Sequence, residues 1–422
     1  MDLFRNEHPK GENFADVGGA YRLPTTDTHH DGKISALGII TKSQAILSKN
    51  EYNAVIARAE RLTLRDLACK WLNQKQFRVT PGNPEGHNTY VHRVNYCCKR
   101  RIDKSKGIGV HFNEARGKAH FSNLVHCGSV WTCADCGARI TEVRRTELQQ
   151  GISTWRKKGG SVYLVTVTNR HHRGDNLKQL LQGQKLAFIK LWEKYAVKQM
   201  MKKLGYQGRI VACEVTWSYN NGWHPHFHIL MFFDHQINTQ GLQSFLSLEW
   251  QKACQKAGLK LPSLEHGVDV QDGTYADKYV AKWGLEHEMT KGHVKKGRDG
   301  SLTPFDLLRQ SVECPEYGKL FREFADAFKG KRQLTWTKGL KALLQVEEVA
   351  DEEIVQETEK DSVLVQELAF ELFQLITMHK MQAEYLEAVE LDWLDKGQRA
   401  DSLIMRLAQF EAGEISKRAD TS

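Results

Sequence analysis

The segment that most constrains the fold is the run of residues 223–233, which follows the turn Tyr-Asn-Asn-Gly. His224, His226 and His228 occupy alternate positions of this run, and apolar residues fill its second half. Residues two apart in a strand share a face, so the histidines can converge on one metal ion while their neighbours enter a core. An Asn-Gly pair between two β-rich runs predicts a hairpin, in which 209–218 pairs antiparallel with 223–233.

A metal site is predicted across this hairpin. Glu214 lies on the first arm, opposite His226 and His228 on the second. Two imidazoles and a carboxylate suit Mn²⁺, while oxygen-preferring Mg²⁺ can act because a substrate phosphate would complete its shell. Such an ion polarises a phosphate oxygen and orients the bond to be broken. His224, which is followed by a proline near the turn, is either a further ligand or a polar residue at the strand edge.

A tyrosine pair follows downstream of the hairpin. Tyr275 and Tyr279 are four residues apart and share one face if their segment is helical. The free pKa of tyrosine, about 10, is too high for a good nucleophile at neutral pH, so a metal-held phosphate and basic side chains must assist. Lys278 and Lys282 are the candidate helpers. Taken alone, the same pattern also fits an ordinary amphipathic helix.

The wider pattern predicts an α+β fold with an antiparallel sheet. A strand at 160–169 is apolar on both faces except at Thr166, and Asp175 is a candidate N-cap for a long helix that ends near Leu204. The hairpin, a helix at 237–257, a short strand at 266–271 and the tyrosine helix complete the unit. We expect helices on one face of the sheet and a free working face on the other.

Cysteine spacing predicts a structural zinc site. The chain has nine cysteines, an odd number without a secretory signal, which argues against a disulfide framework. A Cys-x-x-Cys knuckle typically wraps tetrahedral Zn²⁺. The predicted zinc ligands are Cys98, Cys127, Cys133 and Cys136. Cys97 and His126 remain alternatives, and a set of reduced buried thiols is the competing interpretation.

Charge is distributed unevenly along the chain. The net charge is +9, but residues 343–422 contain 19 acidic and 7 basic residues, which leaves a net charge of +21 for the rest. A basic body favours a polyanionic partner, although a solvated surface with an acidic solubility segment fits as well. No stretch is long and apolar enough for a membrane span, so we expect a cytoplasmic protein.

The motifs together resemble those of the HUH endonucleases, and within them the rolling-circle replication initiators of plasmids and small single-stranded DNA phages. The strand 162–169, the His226-Phe-His228 run and Tyr279-Val-Ala-Lys282 carry this resemblance. The cysteine block 127–136 and the run 332–340 resemble plasmid Rep proteins of this type, so the similarity spans about 95 to 342.

This resemblance implies a five-stranded antiparallel HUH sheet that nicks and joins DNA through a 5′-phosphotyrosine intermediate. It also implies a single-stranded or hairpin origin as substrate, and a host helicase and DNA polymerase as partners, since the sequence contains no Gly-x-x-x-x-Gly-Lys-Ser/Thr loop. Basic and aromatic side chains suit single-stranded DNA, and the predicted DNA-binding residues are Arg332, Trp336 and Lys338. In single-tyrosine plasmid initiators, a glutamate stands where this chain has Tyr275. The pattern is instead similar to phage gene A proteins and two-tyrosine transposases, which implies that Tyr275 and Tyr279 alternate as nucleophiles. A stacking or orienting role for Tyr275 is the alternative.

The resulting division of the chain has four parts. They are an N-terminal arm (1–48), a helix and zinc-binding region (49–137), an HUH endonuclease domain (138–342) and an acidic helical segment (343–422). Two other functions remain open, a two-tyrosine transposase of a rolling-circle element and a non-catalytic zinc-containing DNA-binding regulator.

Overall fold

A computed structural model describes residues 49–77, 87–273, 276–277, 280, 300–357 and 361–419. The predicted N-terminal arm, 1–48, lies outside the described residues. Helices with defined bounds are α1 (Lys49–Leu72), α2 (Ala134–Lys157), α3 (Leu177–Glu193), α4 (Tyr195–Lys203), α5 (Thr239–Lys256), α6 (Pro304–Gln310), α7 (Pro315–Phe328), α8 (Leu340–Leu343), α9 (Asp351–Glu357), α10 (Phe370–Met378), α11 (Gln382–Asp395) and α12 (Arg399–Ala419). Among the described helices, none combines the length and the apolar character that crossing a membrane requires.

The main sheet contains five antiparallel strands and confirms the predicted fold class. Two short strands pair near the end of α1, namely β1 (Gln74–Phe77) and β2 (His87–Tyr90). A second group forms with the C-terminal segment and contains β3 (Ile108–Asn113) and β4 (Lys118–Phe121). The main sheet consists of β5 (Ser161–Thr168), β6 (Tyr206–Ser218), β7 (Gly222–Phe233), β8 (Val268–Gln271) and β9 (Leu334–Trp336). Its order is β8, β5, β7, β6, β9, with β7 at the centre.

The predicted hairpin forms the long β6–β7 pair. Its register runs from Ser218 opposite Gly222 to Tyr206 opposite Phe233, with an irregularity between Tyr206 and Gly208. Gly222 has a φ of +71° at the turn, and a Cβ atom there would lie 2.7 Å from the Cα atom of Arg173. The turn therefore needs glycine both for its left-handed backbone and for its close approach to the neighbouring loop.

Helices cover both faces of the main sheet. Odd-numbered positions such as Val165 pack with α3, α4 and α5. Even-numbered positions such as Leu164 pack with α2 and with Ala276 and Val280, which are also helical. The expectation that helices pack on one face only is therefore wrong for the described residues. The face formed by the even-numbered positions is the second face of the sheet. It is apolar at one end and polar at the end near the β6–β7 turn.

The long helix predicted from Asp175 is two helices. Asn176, not Asp175, is the N-cap of α3, and its side chain accepts a hydrogen bond from the amide of Gln179 at 3.2 Å. Asp175 instead accepts from the amide of His172 at 2.9 Å. Extended backbone at Lys194 separates α3 from α4, and its ammonium group lies 2.6 Å from Glu249 of α5.

The C-terminal segment is mostly helical, as predicted, but it also contains a strand. This strand, β10 (Val363–Leu368), pairs antiparallel with β3 to give a three-stranded sheet in the order β10, β3, β4. On α11, Glu390 accepts hydrogen bonds from Arg58 of α1 at 2.5 Å and from the amide of Ala119 of β4 at 2.9 Å. The segment is thus packed onto the N-terminal region. The domain boundaries at 49, 138 and 343 stay predictions.

Candidate metal centre and active site

The register of three strands places the polar residues of the second face in rows. Thr166 of β5, His228 of β7 and Ala212 of β6 are direct neighbours across the sheet. In the next row, Thr168, His226 and Glu214 are neighbours. Directly paired residues of antiparallel strands point to the same side, so Glu214 and the two histidines share one face.

Glu214, His226 and His228 have the geometry of a metal site. Their donor atoms all lie within 4.8 Å of one another. Glu214 Oε2 is 3.4 Å from His228 Nε2 and 3.6 Å from His226 Nε2. Metal–ligand bonds of about 2.1 Å place neighbouring ligands about 3 to 3.5 Å apart in octahedral or tetrahedral shells. Glu214, His226 and His228, the metal group, therefore fit a divalent cation with little adjustment.

Neighbouring side chains orient the His228 ring and favour the ionised form of Glu214. Thr166 Oγ1 lies 2.9 Å from His228 Nδ1, which leaves Nε2 of that ring to face Glu214. Burial would raise the pKa of Glu214, but the neighbouring His228 and His226 hold it well below its usual range. A carboxylate is thus available to a cation at neutral pH.

His224 lies outside the metal group. Its Nε2 atom is 3.0 Å from Thr168 Oγ1, and its ring stacks on His171 with centroids 4.6 Å apart. Burial and the neighbouring His226 and His171 lower the pKa of His224 to about 4. Of the four residues predicted as metal ligands, Glu214, His226 and His228 therefore form the group described above, whereas His224 contacts Thr168.

The predicted nucleophiles and their helpers lie outside the described residues. These are Tyr275, Lys278, Tyr279 and Lys282. Within the same segment, Ala276 and Val280 are buried in the core of the second face, the face that carries Glu214. Asp277 accepts hydrogen bonds from Arg156 of α2 at 2.8 and 2.9 Å, which ties this segment to α2.

A second metal-ligand cluster contains four buried cysteines, Cys97, Cys127, Cys133 and Cys136. The Sγ atom of Cys136 is 3.4 Å from that of Cys97 and 3.7 Å from that of Cys127. Zn–S bonds of about 2.3 Å place the sulfur atoms of a tetrahedron about 3.8 Å apart. The cluster therefore fits Zn²⁺. Its knuckle lies at the first turn of α2, where the helix N-terminus favours thiolates.

The structure corrects one predicted zinc ligand. Cys97, not Cys98, completes the group of four. Cys98 has left-handed backbone with a φ of +53°, and its Sγ atom lies 3.4 Å from His126 Nδ1 and 3.6 Å from Asp135 Oδ2. The Sγ atoms of Cys97 and Cys98 are 3.8 Å apart, but only Cys97 belongs to the group of four cysteines whose Sγ atoms all lie within 4.8 Å of one another.

The predicted DNA-binding residues lie along β9, an edge strand. Arg332 precedes the strand and is exposed, as is Lys338 just after it. Trp336 is partly buried against the core of the second face, and the ammonium group of Lys341 lies 5.3 Å from its ring centroid. β9 runs antiparallel to β6 with Leu334 opposite Ala212, so its Arg332 end is the one nearer the metal group.

Two polar residues of this region escaped the sequence-based prediction of the site. Thr166 was visible as the one polar position in an apolar strand, but its partner His228 comes from another strand. Asn169, one residue beyond β5, is 2% exposed and lines a cavity beside the metal group. Nothing in the local sequence indicates that this asparagine is buried.

Comparison with known proteins identifies the family. The family model described as "Replication protein" matches residues 122–386, more than half of the chain. The matched range contains the hairpin, the metal group and three of the four clustered cysteines. No solved structure matches the chain at a significant level.

Three relatives are similar to parts of the chain. "Protein rep" of Streptomyces lividans is 27% identical over 315 residues, which cover 58% of this chain and 68% of that protein. "Protein rep" of Lentilactobacillus hilgardii is 28% identical over 170 residues, covering 40% and 52%. A protein named "Neomycin resistance protein" from Streptomyces cyanogenus is 30% identical over 154 residues, covering 31% and 35%. The chain belongs to the Rep family of replication proteins, and its resemblance to plasmid rolling-circle replication initiators is confirmed.

Proposed function

We propose that the protein initiates plasmid replication by nicking and rejoining one strand of origin DNA. The observation that carries the proposal is the Glu214–His226–His228 group, three metal-type donors on adjacent strands, with His228 oriented by the hydroxyl of Thr166. Membership of the replication protein family supports the same function. The burial of Ala276 and Val280 on the second face supports a role for the tyrosine segment beside the metal group.

Tyr279 is the proposed nucleophile. Its phenolic oxygen forms a bond to phosphorus while the bond from phosphorus to the 3′ oxygen breaks, and the proton passes to that leaving oxygen. The product is a 5′-phosphotyrosine ester and a free 3′ hydroxyl, and this ester conserves the energy needed for rejoining. A divalent cation, Mg²⁺ or Mn²⁺, held by Glu214, His226 and His228 would supply polarisation of the scissile phosphate. Lys278 and Lys282 assist by stabilising the negative charge that develops on the phenolic oxygen.

Tyr275 is proposed as the second nucleophile. One tyrosine holds the 5′ end while the other cuts the regenerated origin, so that a single chain can release a circular strand. A host polymerase extends the 3′ end, and a host helicase opens the duplex ahead of it. These steps place the protein in the cytoplasm, where plasmids replicate.

Tyrosine replacement tests the chemistry. Tyr279→Phe should abolish cleavage of a single-stranded origin oligonucleotide in Mn²⁺, because it removes the attacking oxygen and little else. Tyr275→Phe should retain the first cleavage and simple rejoining at Tyr279, and lose the joining that depends on cutting a second, regenerated origin. Cleavage is followed on denaturing gels, and the modified tyrosine is mapped by mass spectrometry of the trapped adduct.

A matched tyrosine variant controls for effects of the substitution itself. Tyr195 is 77% exposed at the start of α4, so Tyr195→Phe should cleave and join at the normal rate. Normal cleavage by Tyr279→Phe would show that another residue is the nucleophile. Full joining by Tyr275→Phe would remove the alternation of the two tyrosines.

A structural Zn²⁺ at Cys97, Cys127, Cys133 and Cys136 is part of the proposal. Arg65, which is 1% exposed, lies beside this cluster. Burial would lower the pKa of its guanidinium, but Cys98, Asp66 and Cys133 raise that pKa above its ordinary value. A buried cation offsets the negative charge of a four-thiolate zinc site, so the surroundings also suit the metal-bound form.

A further inference from the structure

A cavity of about 650 Å³ adjoins the metal group at the polar end of the second face. It is lined by Thr168 of β5, Thr216 of β6 and His224 of β7, together with residues of the loop after β5. Thr216 and His224 form the row of the sheet next to Glu214 and His226. The cavity is therefore one row away from the position that a scissile phosphate would take on the metal ligands.

The lining combines a flat wall with short polar side chains. His171 and His224 stack with ring centroids 4.6 Å apart and planes inclined by 27°. Thr168, Thr216 and Ser218 also line the cavity, and the Thr168 hydroxyl lies 3.0 Å from His224 Nε2. Small-ligand sites of this volume usually pair a flat or apolar wall with a few fixed polar groups. A planar heterocycle is the ligand class that such a wall suits.

Asn169 supplies the most specific feature of the cavity. Asn169 is 2% exposed, and its Oδ1 atom has no hydrogen-bond partner among the described residues. Its Nδ2 atom makes only a long contact with the carbonyl oxygen of Arg170 at 3.5 Å. Buried amides are normally hydrogen-bonded, so the unpartnered Oδ1 of this cavity-lining residue leaves one acceptor unsatisfied.

We propose that this cavity holds one unpaired base of the DNA strand beside the scissile phosphate, and that Asn169 reads its edge. An amide presents an acceptor and a donor side by side, and its characteristic bidentate partner is adenine, through the amino group and N7. Unpaired bases are recognised by such edge contacts together with stacking on flat side chains. The inference rests on the proposed nicking function and adds a determinant of sequence preference to it.

Cleavage of a randomised library of single-stranded oligonucleotides in Mn²⁺ tests the proposal with the full chain. Sequencing the cleaved products of the wild type should show a preference for adenine at a position near the nick. Asn169→Ala should reduce that preference, which we expect to be roughly ten-fold or more, to within about two-fold while other positions keep theirs. The change should raise KM for the preferred strand more than it lowers kcat.

A second variant guards against a folding defect. Asn169→Asp keeps the size of the side chain and loses the donor, so it should shift the preference from adenine towards cytosine, whose amino group donates to a carboxylate, while Mn²⁺ binding by Glu214, His226 and His228 stays normal. An unchanged base preference in both variants would overturn the inference and leave the nicking function intact. Absence of any cleavage by the wild type would instead overturn the nicking function, and the inference with it.

Discussion

Thr166 has a larger role than its position in an apolar strand suggests. Its hydroxyl bonds to Nδ1 of His228, and that contact fixes which ring nitrogen faces Glu214. Hydrogen bonds of this kind orient metal ligands, and their loss typically costs about 10- to 100-fold in metal affinity. The metal affinity of the group therefore depends on Thr166, a residue that does not itself bind the ion.

Thr166→Val should weaken Mn²⁺ binding by about 10- to 100-fold, because valine keeps the shape of threonine and removes the hydroxyl. Calorimetric titration of the DNA-free protein measures this affinity. Thr168→Val is the matched control, since Thr168 lies on the same strand and face but bonds to His224. Its Mn²⁺ affinity should stay within a few-fold of the wild type. Equal losses in the two variants would contradict the role assigned to Thr166.

At the scale of elements, α11 carries carboxylates into a packed interface. Glu390 is 8% exposed and pairs with Arg58 and Lys118. Glu387, one turn earlier, has a buried Oε1 atom without a hydrogen-bond partner among the described residues. Burial, followed by the neighbouring Glu390, raises the pKa of Glu387 to about 7 from a usual value of 4.5. This residue is therefore a source of pH-dependent stability.

The sign of that dependence follows from the raised pKa. The folded protein holds the proton of Glu387 more tightly than the unfolded chain does, so its favourable contribution is complete below about pH 4.5 and is lost as the pH rises through 7. Glu387→Gln should therefore raise Tm at pH 8, by roughly 3 °C or more, and change it little at pH 5. Thermal unfolding at the two pH values measures the difference. Glu371→Gln, at an exposed position of α10, should have no effect at either pH, and a pH-independent gain for Glu387→Gln would refute the assignment.

At the scale of the whole molecule, two structural features bring together segments that are far apart in the chain. The first is β10, which continues the sheet of β3 and β4 and brings α11 against α1. The second is the cysteine cluster, which connects Cys97 with the first turn of α2. The acidic C-terminal segment is thus part of a packed structure. Some of its carboxylates form ion pairs with other parts of the chain, as Glu390 does with Arg58.

Cys97→Ser should reduce bound zinc from about one ion per chain to nearly none and lower Tm, because a structural zinc site contributes directly to folding. Elemental analysis of the dialysed protein measures the metal. Cys98→Ser is the adjacent control and should keep its zinc, since its thiol faces His126. Loss of zinc in Cys98→Ser with retention in Cys97→Ser would reverse the assignment.

Several features followed from the sequence because they depend on short stretches of chain. Alternation in β7 and the Asn-Gly turn are local properties, and together they place Glu214 opposite His226 in the observed register. The Cys-x-x-Cys spacing likewise predicted a knuckle, which lies at the start of α2. In each case the residues that determine the geometry are close neighbours along the chain or across one tight turn.

The tertiary structure decided what depends on contacts between distant segments. The choice of Cys97 over Cys98 depends on a left-handed residue and on the packing around it. The orientation of His228 depends on Thr166 from another strand, and the pairing of β10 with β3 joins opposite parts of the chain. Sequence alone therefore determined the chemistry that the hairpin can carry. Only the packed fold determined which side chains surround it, because burial and partner choice are properties of the whole core.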